Sequence, residues 1–307
     1  MPTFNPDNVL LMDARDGMIP TQFASEMVGE VVQNSAVMQL AQVEDMTAPK
    51  KVITYLAEGP GAYWVSEAER IQTSKATWLK AEMEAKKLAV IIPVSKEFLR
   101  YSVSDFFNMI RPKLAEAFYT KFDQAALFGT DSPYATRQNL LAAANEAGNV
   151  VALDESESLY TQLNGLMGLV EDNEIDPDGI ATVRSMKSKF RGELDSTGRP
   201  IYAKGDGTAP DDILGLPLAY VNGKSFDKSK AVAFTGDWDY ARFGILQDFE
   251  YEVSTDATLT TIADEAGNPI SLFERDMFAL RVTAHFAFMV LKNEAFAVLE
   301  PATAAGE

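Results

Sequence analysis

The chain has no cysteine and a single histidine, His285. The first absence removes disulfides, thiol nucleophiles and every cysteine-bearing zinc or iron–sulfur site at once. The second removes histidine-rich metal centres and most acid–base schemes that depend on imidazole. Basic residues are scarce as well: 27 Lys and Arg stand against 45 Asp and Glu, giving a formal net charge of −18. Such a field repels phosphate backbones and anionic lipid, which argues against sequence-specific nucleic-acid binding. Proximity to nucleic acid is still allowed, because cations can neutralise the gap across a wall that binds nothing specifically. Long hydrophobic runs are missing too. Met1 to Asp13 has no basic segment followed by an apolar stretch, and no run of about 18 apolar residues occurs later. The expectation is a chain with neither an ordinary secretion signal nor a membrane span, and with no cofactor or metal.

What is present is the composition of a globular protein. Hydrophobic residues make up 47% and charged residues 23% of the 307, which rules out a disordered or fibrous chain and leaves room for two compact units with extensions. Residues 1 to about 20 carry Pro2, Pro6, Gly17 and Pro20 with little periodicity and read as an extended arm. Phe23, Met27, Val31 and Val32 give the spacing of a short amphipathic helix, and Val37, Leu40 and Val43 an irregular or strand segment after it.

From Lys51 the period changes to two. Val52, Ile53, Tyr55 and Leu56 predict a short strand, broken by Gly59-Pro60-Gly61. From Thr77 to Ile91 the pattern predicts one long strand. Leu79, Ala81, Met83, Ala85, Ala89 and Ile91 lie on an apolar face, and Lys80, Glu82, Glu84 and Lys86 on a polar one. Paired with the region of Tyr63-Trp64-Val65, this strand makes a protruding hairpin, which is marginal alone and needs a docking surface. Trp64, Trp78, Leu79 and Met83 are the candidate contacts with a neighbouring subunit.

Ser102, with Asp105 three residues on, predicts a helix start. Phe106, Ile110, Leu114, Phe118, Phe122 and Ala126, supported by Phe107, Ala117 and Ala125, then carry a stripe of spacing four up to Gly129, with Pro112 expected to kink or break it. A second helix is expected over Leu159–Val170, a turn at Asp176-Pro177-Asp178-Gly179, and a third helix through Val183, Met186 and Phe190. Strands follow from Leu214 onward, closing on alternating residues around Phe278–Val282 and Phe286–Val290 that suit a central strand pair.

Candidate chemistry is thin. Leu214-Gly215-Leu216-Pro217 lacks the glycines and Lys-Thr ending of a phosphate loop, and Gly205-Asp206-Gly207 reads as an acidic turn. Asp237, Asp239, Asp248, Glu250 and Glu252 could supply a carboxylate pair, but a chain this acidic yields such pairs by chance, and a solvated face is the stronger reading. His285, between Ala284 and Phe286, reads as a hydrogen-bonded core or interface group, and no Gly-x-Ser-x-Gly elbow occurs.

Several strings add a resemblance. Tyr63-Trp64-Val65-Ser66-Glu67, Lys86-Lys87-Leu88-Ala89, Pro93-Val94-Ser95-Lys96-Glu97 and Leu114-Ala115-Glu116-Ala117-Phe118 come first. Glu193 to Tyr202, Ile213 to Pro217, Gly236-Asp237-Trp238 and Glu294 to Leu299 follow in order. Together the sequence resembles the major capsid proteins of tailed bacteriophages with the HK97-type fold, an α+β architecture. The resemblance implies an N-terminal arm over residues 1–50, an extended loop over 51–93 and a peripheral domain with a spine helix over 94–156. A mainly axial domain over 157–275, strands returning to the peripheral domain over 276–300 and a tail over 301–307 complete it. It implies a structural, non-enzymatic subunit that forms pentamers and hexamers tiling an icosahedral shell around double-stranded DNA. A separate scaffolding protein, a portal and a decoration protein are the implied partners, the virion the implied location and the bacterial cytoplasm the place of assembly. Some relatives join subunits covalently through a loop lysine and a late asparagine. Lys75 or Lys80 and Asn293 occupy those places here, with no adjacent motif. The rival readings are a cellular cage of the same fold, like an encapsulin, and a soluble acidic-site hydrolase.

Overall fold

The computed structural model describes residues 23–67, 69–70, 73–97, 103–135, 138–154, 156–192, 202, 211–263 and 267–302. The extended arm before residue 21, the capping pair Ser102 and Asp105, the side chains of Phe106, Phe107 and Asp248, the Gly205–Gly207 turn, the 193–201 string and most of the tail lie outside the described residues.

The long helix is there as the period-four stripe requires. It runs Val103–Phe128 (α3), and Leu114, Phe118, Phe122 and Ala126 are buried along it while Lys113 and Ala117 face out. At about 1.5 Å per residue it spans about 40 Å. Pro112 neither breaks nor ends it. That proline is exposed, on the side of the helix away from the core.

Two sheets flank this spine. The first has four strands in the order β1 (Gln42–Asp45), β10 (Ala241–Ser254), β13 (Met277–Val290) and β4 (Lys86–Ser95), with β1 parallel to β10 and the other pairs antiparallel. The closing alternation expected as two strands is one 14-residue strand, β13, in the sheet centre. Its Phe286 and Phe288 meet Phe122 of the spine at ring centroids of 5.8 and 6.1 Å, and Phe249 of β10 meets Phe118 edge-on at 4.9 Å. These phenylalanine contacts seat the helix on the sheet, each worth about 0.5–1.5 kcal/mol beyond its buried area.

The second sheet has six strands in the order β5 (Val150–Ala152), β14 (Phe296–Glu300), β9 (Ala233–Gly236), β6 (Gly179–Val183), β8 (Leu216–Val221) and β7 (Asp212–Ile213). Two helices pack on its β14 side. Leu140–Ala147 (α4) begins at Asn139, whose side chain accepts the Ala142 N–H at 2.8 Å, and ends at Gly148 with φ +77°. Leu159–Glu171 (α5) begins at Ser158, whose hydroxyl accepts the Thr161 N–H. β10, within 157–275, lies in the four-stranded sheet, and β14, within 276–300, lies in the six-stranded one. Strand pairing, which satisfies backbone groups, follows register and not order along the chain.

Two local expectations change. Asp176 to Asp178 are extended, and Gly179 opens β6; the turn comes earlier, at residues 172–174. The Asp178 carboxylate accepts the Trp238 N–H at 2.9 Å, so this aspartate ties two strands together instead of closing a turn. Val183 ends β6, and the helical residues begin only at Arg184, in a short turn that continues as Lys187–Gly192 (α6).

The arm region also differs. Phe23–Asn34 (α1) and Ala36–Leu40 (α2) carry Met27, Val31, Val37 and Met38 fully or almost fully buried in the main core. From Met27 the segment is part of the subunit interior. Ser35, between the two helices, donates its hydroxyl to the buried Asp123 of the spine at 2.5 Å and accepts the Met38 N–H at 3.1 Å. Within α1, Glu30 pairs with Arg111 at 3.0 Å. No helix among the described residues is long and apolar enough to cross a membrane.

Candidate assembly surface

The hairpin forms from β2 (Lys50–Glu58) and β3 (Thr77–Glu84), paired antiparallel. Tyr63-Trp64-Val65, expected to be the partner strand, lies in the connection instead. Val52-Ile53-Thr54-Tyr55-Leu56 is an unbroken β-forming run, whereas Gly59-Pro60-Gly61 before Tyr63 breaks the strand and removes a backbone donor. The register puts Lys51 opposite Met83, Ile53 opposite Ala81 and Tyr55 opposite Leu79 on one face. Val52 with Glu82, Thr54 with Lys80 and Leu56 with Trp78 occupy the other.

The base of this ribbon belongs to its own subunit. Met83 has no exposed surface and clusters with Met46, Ala287 and Met289, with Ile53, Ala81 and Ala85 packed around them. Met83 is therefore corrected from a candidate inter-subunit contact to a core residue: the outer face of β13 presents Ala287 and Met289, and β3 crosses it at the right height to cover them. Ion pairs Lys51–Glu44 at 2.7 Å and Lys86–Glu84 at 2.7 Å flank the crossing. The single apolar stripe expected from Leu79 to Ile91 is split at Ala85, whose N–H bonds to the Pro49 carbonyl at 2.8 Å. Beyond it Leu88, Val90, Ile92 and Val94 pack on the main core, while Ile91 is exposed. One residue outside the strand pattern reverses which parity faces inward.

The tip is different. Leu56, Trp78 and Leu79 are 44%, 62% and 47% exposed, and Trp64 is fully exposed in the connection. Apolar side chains stand on both faces there, Leu56 with Trp78 on one and Tyr55 with Leu79 on the other. Apolar area left in water on a projecting ribbon marks an association surface, since covering it gains about 25 cal/mol per Å².

The remaining candidates do not converge. Lys75 and Lys80 are exposed on the hairpin, and Asn293 is half-buried at the start of a helical turn, Asn293–Ala295, between β13 and β14. Asp237 caps the turn that opens β10 by accepting the Asp239 N–H at 3.0 Å. Its carboxyl is held above the usual range by burial, then by the neighbouring Asp239 and Asp176 charges. Glu252 sits far along the same strand, ion-paired with Arg281 across to β13. Those acids hold backbone and partner strands, and among the described residues no three carboxylates or imidazoles gather around a metal position. His285 is half-buried in β13, and its Nδ1 is enclosed without a hydrogen-bond partner in the subunit.

Sequence reasoning missed the Ser35–Asp123 link and a second one, where the Asn222 side chain donates to the Tyr119 hydroxyl at 3.1 Å. A signal for the first exists. Asp123 is eight residues after Ala115 and four before Leu127, both buried, so an acid stands inside an apolar helical face.

Comparison with known proteins accounts for this architecture. The model of the phage capsid family matches residues 16–300. The major capsid protein of Staphylococcus phage 80alpha is 39% identical over 303 residues, covering 97% of this chain and 90% of that protein. The probable major capsid protein gp17 of Mycobacterium phage D29 is 26% identical over 94% of this chain and 92% of its own length. Among solved structures, one from Microbacterium phage Oxtober96 has a TM-score of 0.73 at 29% identity, covering 87% of this chain and 91% of that one. One from Mycobacterium phage Adephagia has a TM-score of 0.74 at 26% identity, covering 89% and 92%. With a family model covering nearly the whole length and relatives aligned over more than nine-tenths of it, the chain belongs to the phage capsid family, as a major capsid protein of the HK97-type fold.

Proposed function

We propose that this subunit assembles with copies of itself, as pentamers and hexamers, into an icosahedral shell around double-stranded DNA, and that the tip of the β2–β3 hairpin holds neighbouring copies together. The observation that carries this reading is the exposed apolar tip on a ribbon whose base is already locked into its own core. A ribbon so anchored presents Trp64, Leu56, Trp78 and Leu79 outward, and among the described residues they remain exposed.

In this reading the four-stranded sheet with the spine is the peripheral unit and the six-stranded sheet the axial one. The net charge of −18 keeps the wall from gripping DNA by sequence, so cations fill the gap between them. The subunit is structural and not an enzyme; of the acids weighed as a catalytic pair, Asp237 caps a turn and Glu252 is ion-paired with Arg281. Partners are a separate scaffolding protein, a portal and a decoration protein; assembly takes place in the bacterial cytoplasm and the product is the virion. Lys75, Lys80 and Asn293 carry no motif for a covalent link, so subunits separate when denatured. Electron microscopy of the purified protein tests the reading: hollow closed particles are expected, with DNA inside those from infected cells. Protein that stays monomeric at high concentration, or particles that enclose only another protein, would overturn it.

A further inference from the structure

Among the described residues Asp123 is the acidic side chain with no exposed surface. It lies on the inward face of the spine, where α1 and α2 cross it. The Ser35 hydroxyl has one proton, which goes to Asp123 Oδ1 at 2.5 Å, while its oxygen receives the Met38 N–H. Asp123 Oδ2 is enclosed and has no hydrogen-bond partner. A buried carboxyl without a cation is far more stable neutral than charged, and Oδ2 is the oxygen left to carry the proton.

We propose that the seating of residues 23–41 on the spine is proton-coupled, with the Asp123 carboxyl neutral while the helix pair is seated and ionised when it lifts. Several described ionisable groups on the surrounding elements are engaged elsewhere. Glu30 of α1 pairs with Arg111, Lys121 of the spine with Asp131, Glu116 with Lys113 and Lys224, and Arg242 of β10 with Glu44. Tyr220 of β8 lies under Lys187, and α2 and β6 have no ionisable side chain. Burial pushes the Asp123 carboxyl up to about 7, against the smaller opposing effect of the Ser35 hydroxyl and the Ala36 and Val37 N–H groups.

The direction follows from proton linkage. Lifted, the carboxyl titrates near its ordinary 3.8; seated, near 7, so lifting releases a proton between those values. Seating is strongest below the lower value, weakens by about tenfold per pH unit through the interval, and levels off above about pH 7. The segment therefore loosens toward neutral pH without any change in its apolar contacts, which keep it seated at a lower free-energy gap.

Hydrogen exchange on the full-length chain tests this at the amides of Met38, Gln39 and Ala41, which bond to Ser35 and Val37. After correction for intrinsic rates, protection is expected to fall about tenfold per unit between about pH 5 and 6.5 and to flatten above about 7. Asp123→Asn should remove that slope while Glu30→Gln leaves it. A wild-type profile that is flat, or that rises with pH, overturns the proposal. Should Asp123→Asn fail to fold, infrared spectroscopy of the wild-type chain decides: a carboxylic-acid carbonyl band that persists at about pH 6 and fades toward about pH 8 is expected, and its absence at about pH 6 refutes the neutral carboxyl.

Discussion

Leu56 and Trp78 stand directly opposite each other across the β2–β3 ribbon, and both remain exposed. A cross-strand apolar pair adds about 0.2–1 kcal/mol to its own ribbon, little against the area it leaves in water. Replacing both with Asp should therefore abolish closed shells and leave the subunit folded. Circular dichroism and sedimentation velocity read the two halves of that expectation. Normal shells from the double variant would remove the tip from the interface.

Met83 behaves oppositely although it lies on the same strand. With no exposed surface and the Met46–Met289 cluster around it, Met83→Ala should cost the subunit about 2–5 kcal/mol, seen as an earlier urea midpoint in the unassembled chain. A variant with unchanged stability and defective assembly would return Met83 to the interface.

Gly236 is required for close approach and not for an unusual φ. A β-carbon there would lie 2.3 Å from the Ala295 carbonyl oxygen and 2.7 Å from the Phe296 ring, where β9 pairs with β14. Backbone cannot step aside as a side-chain end can, so Gly236→Ala should destabilise by about 1–3 kcal/mol or more in thermal or urea unfolding. A neutral effect would mean that the two strands separate at this point at no cost.

Assembly should respond to salt. Subunits carrying a net charge of −18 repel, and at about 0.15 M ionic strength that repulsion is confined to about 8 Å. Light scattering is expected to rise as sodium chloride is added from very low concentration. A steady loss of particles instead would show that ion pairs across the contacts outweigh the net repulsion.

Much of the fold was legible because it depends on local periodicity. The spine was readable from Leu114, Phe118, Phe122 and Ala126, since spacing four puts them on one side of any helix whatever they pack against. The alternation at Val52–Leu56 and Leu79–Met83 located two strands by the same logic with a period of two, though not their pairing with each other. What those patterns lack is a partner. Tyr63-Trp64-Val65 is as aromatic and β-branched as a strand needs, and only the competition between segments for the same edge shows that Val52–Leu56 takes it. Met83 and Leu79 are equivalent in the sequence, four residues apart on one apolar face, yet one is core and the other exposed, because β3 covers Ala287 and Met289 of β13 at Met83 and projects beyond them at Leu79.

The sequence by itself excluded thiol chemistry, since it has no cysteine, left a single histidine and an excess of acids, and carried the capsid resemblance in its ordered strings. Tertiary structure decided which apolar residues are left over for assembly, and that Asp123, one of 45 acids, is enclosed beneath Ser35. Periodicity is set by backbone geometry and survives in one dimension, whereas burial depends on elements distant in the chain, as Asp123 does on a serine 88 residues away.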